Sequence, residues 1–431
     1  MTTESKTRSN RRLAGMLRKR LPEARLGDVA DPRSKRGRRW PLATLLRVVV
    51  VSLIAGAKSL AQTEHLTAEM SLSMVRLLGF RGRVPDTTLR GLLCKLDPTE
   101  LRRAIHAFIR SAFRRKALEP VGFPFGIAAM DGKGTALPSC DDHFAQRQTQ
   151  SESARLIGVL RTVTCTLISS AAKVCIDAIP ILASTNEMGG FADALQQLVD
   201  AYGSLSMFRL ISYDAGACSL ANATLVRGKK LHYLFGLKGS QPTLFDEAKR
   251  VLAHLPAGKA DASSEDVVGA HLVHRRVFVT EEMAGFDVWT HLHTVIRVES
   301  DKRSRKGEQL AHENRYYITS LRRNELSDAQ WLRLIRLHWG VENNCHNTFD
   351  TAFQEDDHPW IEADPRGALA VLLLRRIAYN FLTLFRSVTQ RSEERRGTPW
   401  KDLIRGVYNA LIAATAQQLA GLSARSIATP A

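Results

Sequence analysis

No two cysteines stand at metal-binding spacing in this sequence. The six, Cys94, Cys140, Cys165, Cys175, Cys218 and Cys345, are scattered without a CxxC pair. That argues against a zinc knuckle and predicts free thiols in a reducing compartment. GxxxxGK[ST] is also missing, so the Gly-Lys pair within residues 132–134 does not support an ATP-driven motor. HWGVE, residues 338–342, has the wrong order for a metalloprotease helix, which needs Glu directly after the first His. The longest apolar run, Pro41 to Ala57, is interrupted by Arg47 and ended by Lys58. It falls short of the roughly 20 residues a membrane span needs, so a buried helix and no membrane partner are expected. The basic start, MTTESKTRSNRRLAGMLRKR, has no apolar core behind it and does not read as a secretory signal. No internal repeat is visible.

Acidic residues are short too. Asp and Glu number 43 against 61 Lys and Arg, a net charge of +18. Such a surplus points to a polyanionic partner, most simply nucleic acid, with an anionic membrane surface as the competing explanation. The chain has 431 residues, 44% of them apolar and 24% charged, which makes it globular and long enough for two to four domains.

Residues 1–40 are strongly basic and read as an arm that neutralises phosphates, or as a solvated tail. Residues 41–120 are helical in pattern: one helix over about 42–57, a second over about 60–80, then two separated at Asp97-Pro98. The texture changes after Pro120. FGIAAMDGKG, residues 125–134, reads as a short strand ending in Asp131 and a glycine turn, followed by a polar loop to about residue 152. Two β-rich runs, a helix over about 190–202, and the strand MFRLISYDAG ending in Asp214 come next. A helix, the strand HYLFGLKG and another helix carry the chain to residue 256. This strand order predicts an α/β, ribonuclease H-like mixed sheet over 121–256, with carboxylates at neighbouring strand ends, where open α/β sheets bind ligands. Residues 257–322 read as a β-rich insertion, 323–390 as the second part of the catalytic domain, and 391–431 as a helical tail.

RLHWGVENNCHNTFDTAFQEDD, residues 336–357, reads as part of a helix begun near Leu326. Trp331, Leu334, Ile335, Val341, Cys345 and Phe349 form its apolar stripe. His338, Glu342, His346 and Asp350, each four apart, share one face. A solvated polar row explains such a face equally well. With Asp131 and Asp214, Glu342 makes three carboxylates on elements that can converge. Hard oxygen ligands of this kind suit Mg²⁺ or Mn²⁺. Two such ions about 4 Å apart serve in-line displacement at phosphorus. His271, His274, His291 and His293 are weaker candidates, for zinc, because strand histidines without cysteine partners are usually structural. Glu355, Asp356 and Asp357 read as a solvated turn or an extra ligand.

Several motifs in order resemble the DDE transposases of bacterial insertion sequences, specifically the ISAs-type group with a β-rich insertion before the glutamate. DPRSKRGRRWPLATLL and VPDTTLRGLLCKLDP resemble the helical segment that precedes the catalytic domain. AAMDGKG, STNEMGGF, ISYDAGACS, YLFGLKGSQPTL, RLHWGVENNCHNTFDTAFQEDD and RRIAYNFL then follow as in the family. The chain departs from the pattern at His346-Asn347 and Asp350-Thr351, where many relatives have a second tryptophan and an Asp-Val.

The resemblance implies that Asp131, Asp214 and Glu342 bind two Mg²⁺ or Mn²⁺ ions. It implies DNA contacts from Lys133, Lys238, Arg336, His338, Asn343 and His346; ordinary surface or packing roles suit Lys238 and His338 as well. It further implies binding of the element's inverted repeats and of target double-stranded DNA, oligomerisation on DNA as a dimer or larger, and a bacterial cytoplasmic, nucleoid-associated setting. Two alternatives stand beside this reading: a non-catalytic, transposase-derived repressor, and a plain metal-dependent nuclease that hydrolyses ends without joining them.

Overall fold

The computed structural model describes residues 3–141, 143–149, 156–420 and 422. The basic N-terminal stretch is a helix, α1 (Thr3–Arg20), rather than an arm. Leu13, Ala14, Met16 and Leu17 are buried between its arginines. They pack against α14 (Trp400–Ala413) and α15 (Ala416–Leu419), so the two ends of the chain share one helical layer. The arginine count hid this short apolar stripe.

Next come α2 (Leu42–Ile54), α3 (Leu60–Glu69), α4 (Leu72–Leu78), α5 (Asp86–Leu93) and α6 (Pro98–Arg114). The single helix expected over 60–80 is thus two. Ser71 caps the second, accepting from Met74 N at 3.3 Å. Asp97 caps α6, with Pro98 in the first turn, where a missing N–H costs nothing. Arg102 and His106, four apart on α6, share one face and both reach Asp177 of β4 (Cys175–Ile181). Asp177 is fully buried. Burial alone would raise its carboxyl, but His106 and Arg102 hold it well below the usual range.

One ten-stranded sheet spans the molecule. Its first part is β1 (Ile127–Leu137), β2 (Ala145–Thr149), β3 (Leu156–Leu167), β4, β5 (Leu210–Tyr213) and β6 (His232–Leu237). β1 pairs antiparallel with β3, and β3 with β4 and β2 on its other edge. β1, β5 and β6 run parallel. β2 forms inside the stretch expected as a loop. β1 does not end at Asp131 but runs six residues further, to Leu137, paired with β3. Gly132 and Gly134 lie within the strand rather than making a turn.

The insertion supplies β7 (Ala262–Val268), β8 (His271–Thr280), β9 (Thr294–Ser304) and β10 (Gln309–Thr319). It extends the same sheet, because β10 pairs with β6. Alternation along the strands divides the core in two. Ile127 and Ala129 of β1, Leu210 of β5 and Leu234 of β6 pack under α10 (Asp328–His338), against Trp331, Leu334 and Ile335. Ala128 and Met130 turn to the other face. There lie α7 (Phe191–Tyr202), α8 (Leu220–Gly228), α9 (Pro242–Leu252) and α12 (Pro365–Leu384).

Between α10 and α12 the chain makes a π-helical turn, Val341–His346, and the short α11 (Asn347–Thr351); α13 (Glu393–Arg396) follows α12. The segment Pro365–Thr389 is long and apolar enough to cross a membrane, but its most apolar stretch of 18 residues is buried inside the fold. Its Arg375 and Arg376 meet Glu355, which is 1% exposed. Glu355 is therefore a core residue and not part of a solvated turn.

Candidate active site

β1 and β5 carry the first two carboxylates. Their parallel register pairs Ala129 with Ser212. Asp131 comes two residues after Ala129 on β1, and Asp214 two after Ser212, one residue past the end of β5. Asp214 follows the last residue of β5, and its Oδ1 accepts from Gly216 N at 2.9 Å. That bond fixes the turn in which it sits. Gly236 of β6 leaves room for this turn, since a Cβ there would lie 2.9 Å from Ala215 N.

The third carboxylate comes from the π-helical turn. The four-residue spacing had placed His338, Glu342, His346 and Asp350 on one helical face. A π turn holds more residues per turn than an α-helix and breaks that row; such turns occur often at functional sites. Glu342 is exposed, whereas His338 is buried. His346 is drawn down until its Nδ1 lies 3.4 Å from Asp131 Oδ2.

Asp131 records the convergence. Burial pushes its carboxyl up to about 7, with further upward pressure from Glu342 and then Asp214. Like charges gathered in a half-buried place disfavour ionisation and favour a cation. The donor set is hard oxygen, and Tyr213 Oη, on the residue before Asp214, is buried without a hydrogen-bond partner among the described residues. These observations fit a divalent ion. The three acids are not a ready-made trio of close ligands. Among the described residues, the one His/Cys/Asp/Glu trio with ligand atoms within 4.8 Å of one another is Glu299, Asp301 and His312 in the insertion. Arg276 already occupies that trio, 3.0 Å or less from Asp301. Neither His271 with His274 nor His291 with His293 forms such a group.

The flanking residues divide into two sets. Lys133 is 8% exposed, and its Nζ donates to Asp350 at 2.7 Å and to Asp356 at 3.3 Å. It ties β1 to α11 and does not face outward. His338 is 7% exposed, its Nδ1 meets Ser212 Oγ, and burial brings it down to about 4. A neutral histidine packed beneath β5 does not reach a phosphate. Burial, with Arg376 and Lys133 nearby, likewise brings His346 down to about 3, so its contact with Asp131 is not an ion pair.

Lys238 is exposed just past the end of β6, on the side of the sheet where Asp214 lies. Asn343 is exposed beside Glu342. Arg336 is half-exposed and pairs with Asp266 of β7 at 2.9 Å. One acidic neighbour was not singled out from the sequence: Glu187, ahead of α7, which also bears on Asp131. Its signal was its place in the motif STNEMGGF.

Comparison with known proteins adds an independent line. The family described as DDE_Tnp_1-associated matches residues 24–109, the helical layer ahead of the sheet. "Putative protein YbfL" of Escherichia coli K12 is 26% identical over 358 residues, 79% of this chain and 85% of the relative. "H repeat-associated putative transposase YhhI" of the same strain is 26% identical over 358 residues, with the same coverage. "Putative transposase YncI" of Escherichia coli O157:H7 is 23% identical over 341 residues, 76% of this chain and 79% of the relative.

Proposed function

Because the chain is a relative of the DDE-type transposases of insertion sequences, we propose that it is a DNA transposase that cuts at its element's ends and joins the 3′-hydroxyls to target DNA. The observation that supports this reading is that Asp131, on β1, has its carboxyl raised by burial, then by Glu342 and Asp214, acids from distant parts of the chain. The strand order β4-β3-β1-β5-β6, antiparallel for the first three and parallel for the rest, supports a ribonuclease H-like assignment.

Asp131, Asp214 and Glu342 would hold two Mg²⁺ or Mn²⁺ ions. When bound, these supply charge for the attacking and leaving oxygens of an in-line displacement at phosphorus. The chain's own residues then position and hold. Lys133 and Asp350 clamp the Glu-bearing segment to β1, and His346 Nδ1 lies 3.4 Å from one oxygen of Asp131. Lys238 and Asn343, both exposed, are the flanking residues assigned here to phosphate contact. The surplus of basic residues gives the DNA its sequence-independent attraction.

The test is Mg²⁺-dependent nicking and strand transfer on DNA carrying the element's ends. The parent protein should nick and join; Asp131→Ala, Asp214→Ala and Glu342→Ala should each bind that DNA and leave it intact. Nicking by all three variants at the parent's rate would sink the proposal. Nicking without joining by the parent would instead identify a nuclease.

A further inference from the structure

Glu187 lies in the segment between β4 and α7, on the face of the sheet opposite α10. Gly132 makes room for it. A Cβ on Gly132 would lie 2.2 Å from the carboxylate carbon of Glu187 and 2.2 Å from its Oε2. Gly132 follows Asp131 directly, and in a strand successive side chains point to opposite faces. The two carboxylates therefore flank the same stretch of β1 from its two sides. β5 stops at Tyr213, and its pairing with β1 ends at Ala129, two residues before Asp131.

Tyr213 supplies a second, independent observation. It is 4% exposed, and its hydroxyl has no hydrogen-bond partner among the described residues. A buried hydroxyl left without a partner is unfavourable. Its ring stands edge-on to Phe191 at the start of α7, with ring centres 5.5 Å apart. Tyr213 directly precedes Asp214, and Phe191 begins the helix that the Glu187 segment leads into. The cation nearest along β1, Lys133, is engaged with Asp350 and Asp356.

We propose that Glu187 is a fourth acidic ligand of the divalent-ion site, entering from the α7 face while Glu342 enters from the α10 face. This rests on the metal-dependent reading above. Mg²⁺ and Mn²⁺ take oxygen ligands and retain waters. A hydrated ion held between Glu187 and Asp131 gives Tyr213 Oη the partner it lacks. Gly132 then serves the site directly, since any side chain there would displace the carboxylate.

The test is Mn²⁺ titration of the full chain without DNA, by calorimetry and by the paramagnetic signal of the free ion, with melting measured in EDTA and in excess Mn²⁺. Glu187→Gln should bind Mn²⁺ roughly 10–100-fold more weakly, melt in EDTA at or above the parent's temperature, and gain less from Mn²⁺. Glu187→Asp should fall between the two. If Asp131→Asn loses Mn²⁺ while Glu187→Gln keeps the parent's affinity, the assignment of Glu187 is overturned and the metal reading stands. A Glu187→Gln that melts lower in EDTA but binds Mn²⁺ normally shows a role confined to the start of α7, and also overturns it. If the parent binds no Mn²⁺, both readings fall together.

Discussion

The ammonium of Lys133 lies 2.7 Å from a carboxylate oxygen of Asp350. Lys133 stands two residues past Asp131 on the same face of β1, and Asp350 lies in the helix that follows Glu342. The pair spans the gap between two acid-bearing segments far apart in the chain. Lys133→Met should therefore loosen the Glu342 segment and leave Asp350 facing Asp356 without a cation. The expected loss is about 1–3 kcal/mol in unfolding free energy, with nicking reduced much more than DNA binding. Urea unfolding and a gel-shift assay on one preparation separate the two effects.

Asp131 predicts an unusual pH dependence of metal-free stability. Its folded value of about 7 lies above the ordinary 3.8. The folded state then holds a proton through that window which the unfolded chain has released. The stability it contributes is complete below about pH 4 and is lost as pH rises through 7. Asp131→Asn should be more stable than the parent in EDTA at pH 8, by about 2–4 kcal/mol, with the gap closing toward pH 4. Denaturant titrations at both pH values check this.

The same proton must leave when a divalent ion binds. Apparent Mn²⁺ affinity should climb about tenfold per pH unit below pH 7 and level off above it. Calorimetry in two buffers of different ionisation heat should count close to one proton released at pH 6. No buffer dependence at pH 6 would show that Asp131 is already ionised there before the ion binds.

Asp177 behaves in the opposite sense. His106 and Arg102 hold its carboxyl well below the ordinary value. Its contribution is present above about pH 4 and disappears as pH falls through the lowered folded value. Asp177→Asn leaves Arg102 buried without its counter-charge and should cost about 3–5 kcal/mol at pH 7. Because α6 docks on the sheet through this carboxylate, limited proteolysis should cut first between α6 and β1.

Glu355 should be equally intolerant. It sits between Arg375 and Arg376, all three almost fully buried. Glu355→Gln would strand two guanidiniums in the core, again at about 3–5 kcal/mol. Thermal melting should register the change without any metal present.

Strand identity was legible from local apolar runs, and Asp131 and Asp214 stood out because each follows such a run ahead of glycine. What the sequence could not show was which way neighbouring polar residues turn. Lys133 and His338 look like DNA contacts beside a catalytic motif, yet both are packed inward on partners that lie far along the chain, Asp350 and Ser212. The continuous helix expected through Glu342 is broken by a π turn, which residue spacing does not encode. Glu355 read as solvated because its partners are on another helix. Glu187 was passed over because its meaning depends on the space left by Gly132.

The outermost strand of the sheet has one further consequence. Asp266 of β7 grips Arg336, and Arg336 sits on the stem that ends in Glu342. The insertion and the third acid are therefore mechanically linked. The ion pair anchors α10, which leads into the π turn that carries Glu342, to the outer rim of the sheet.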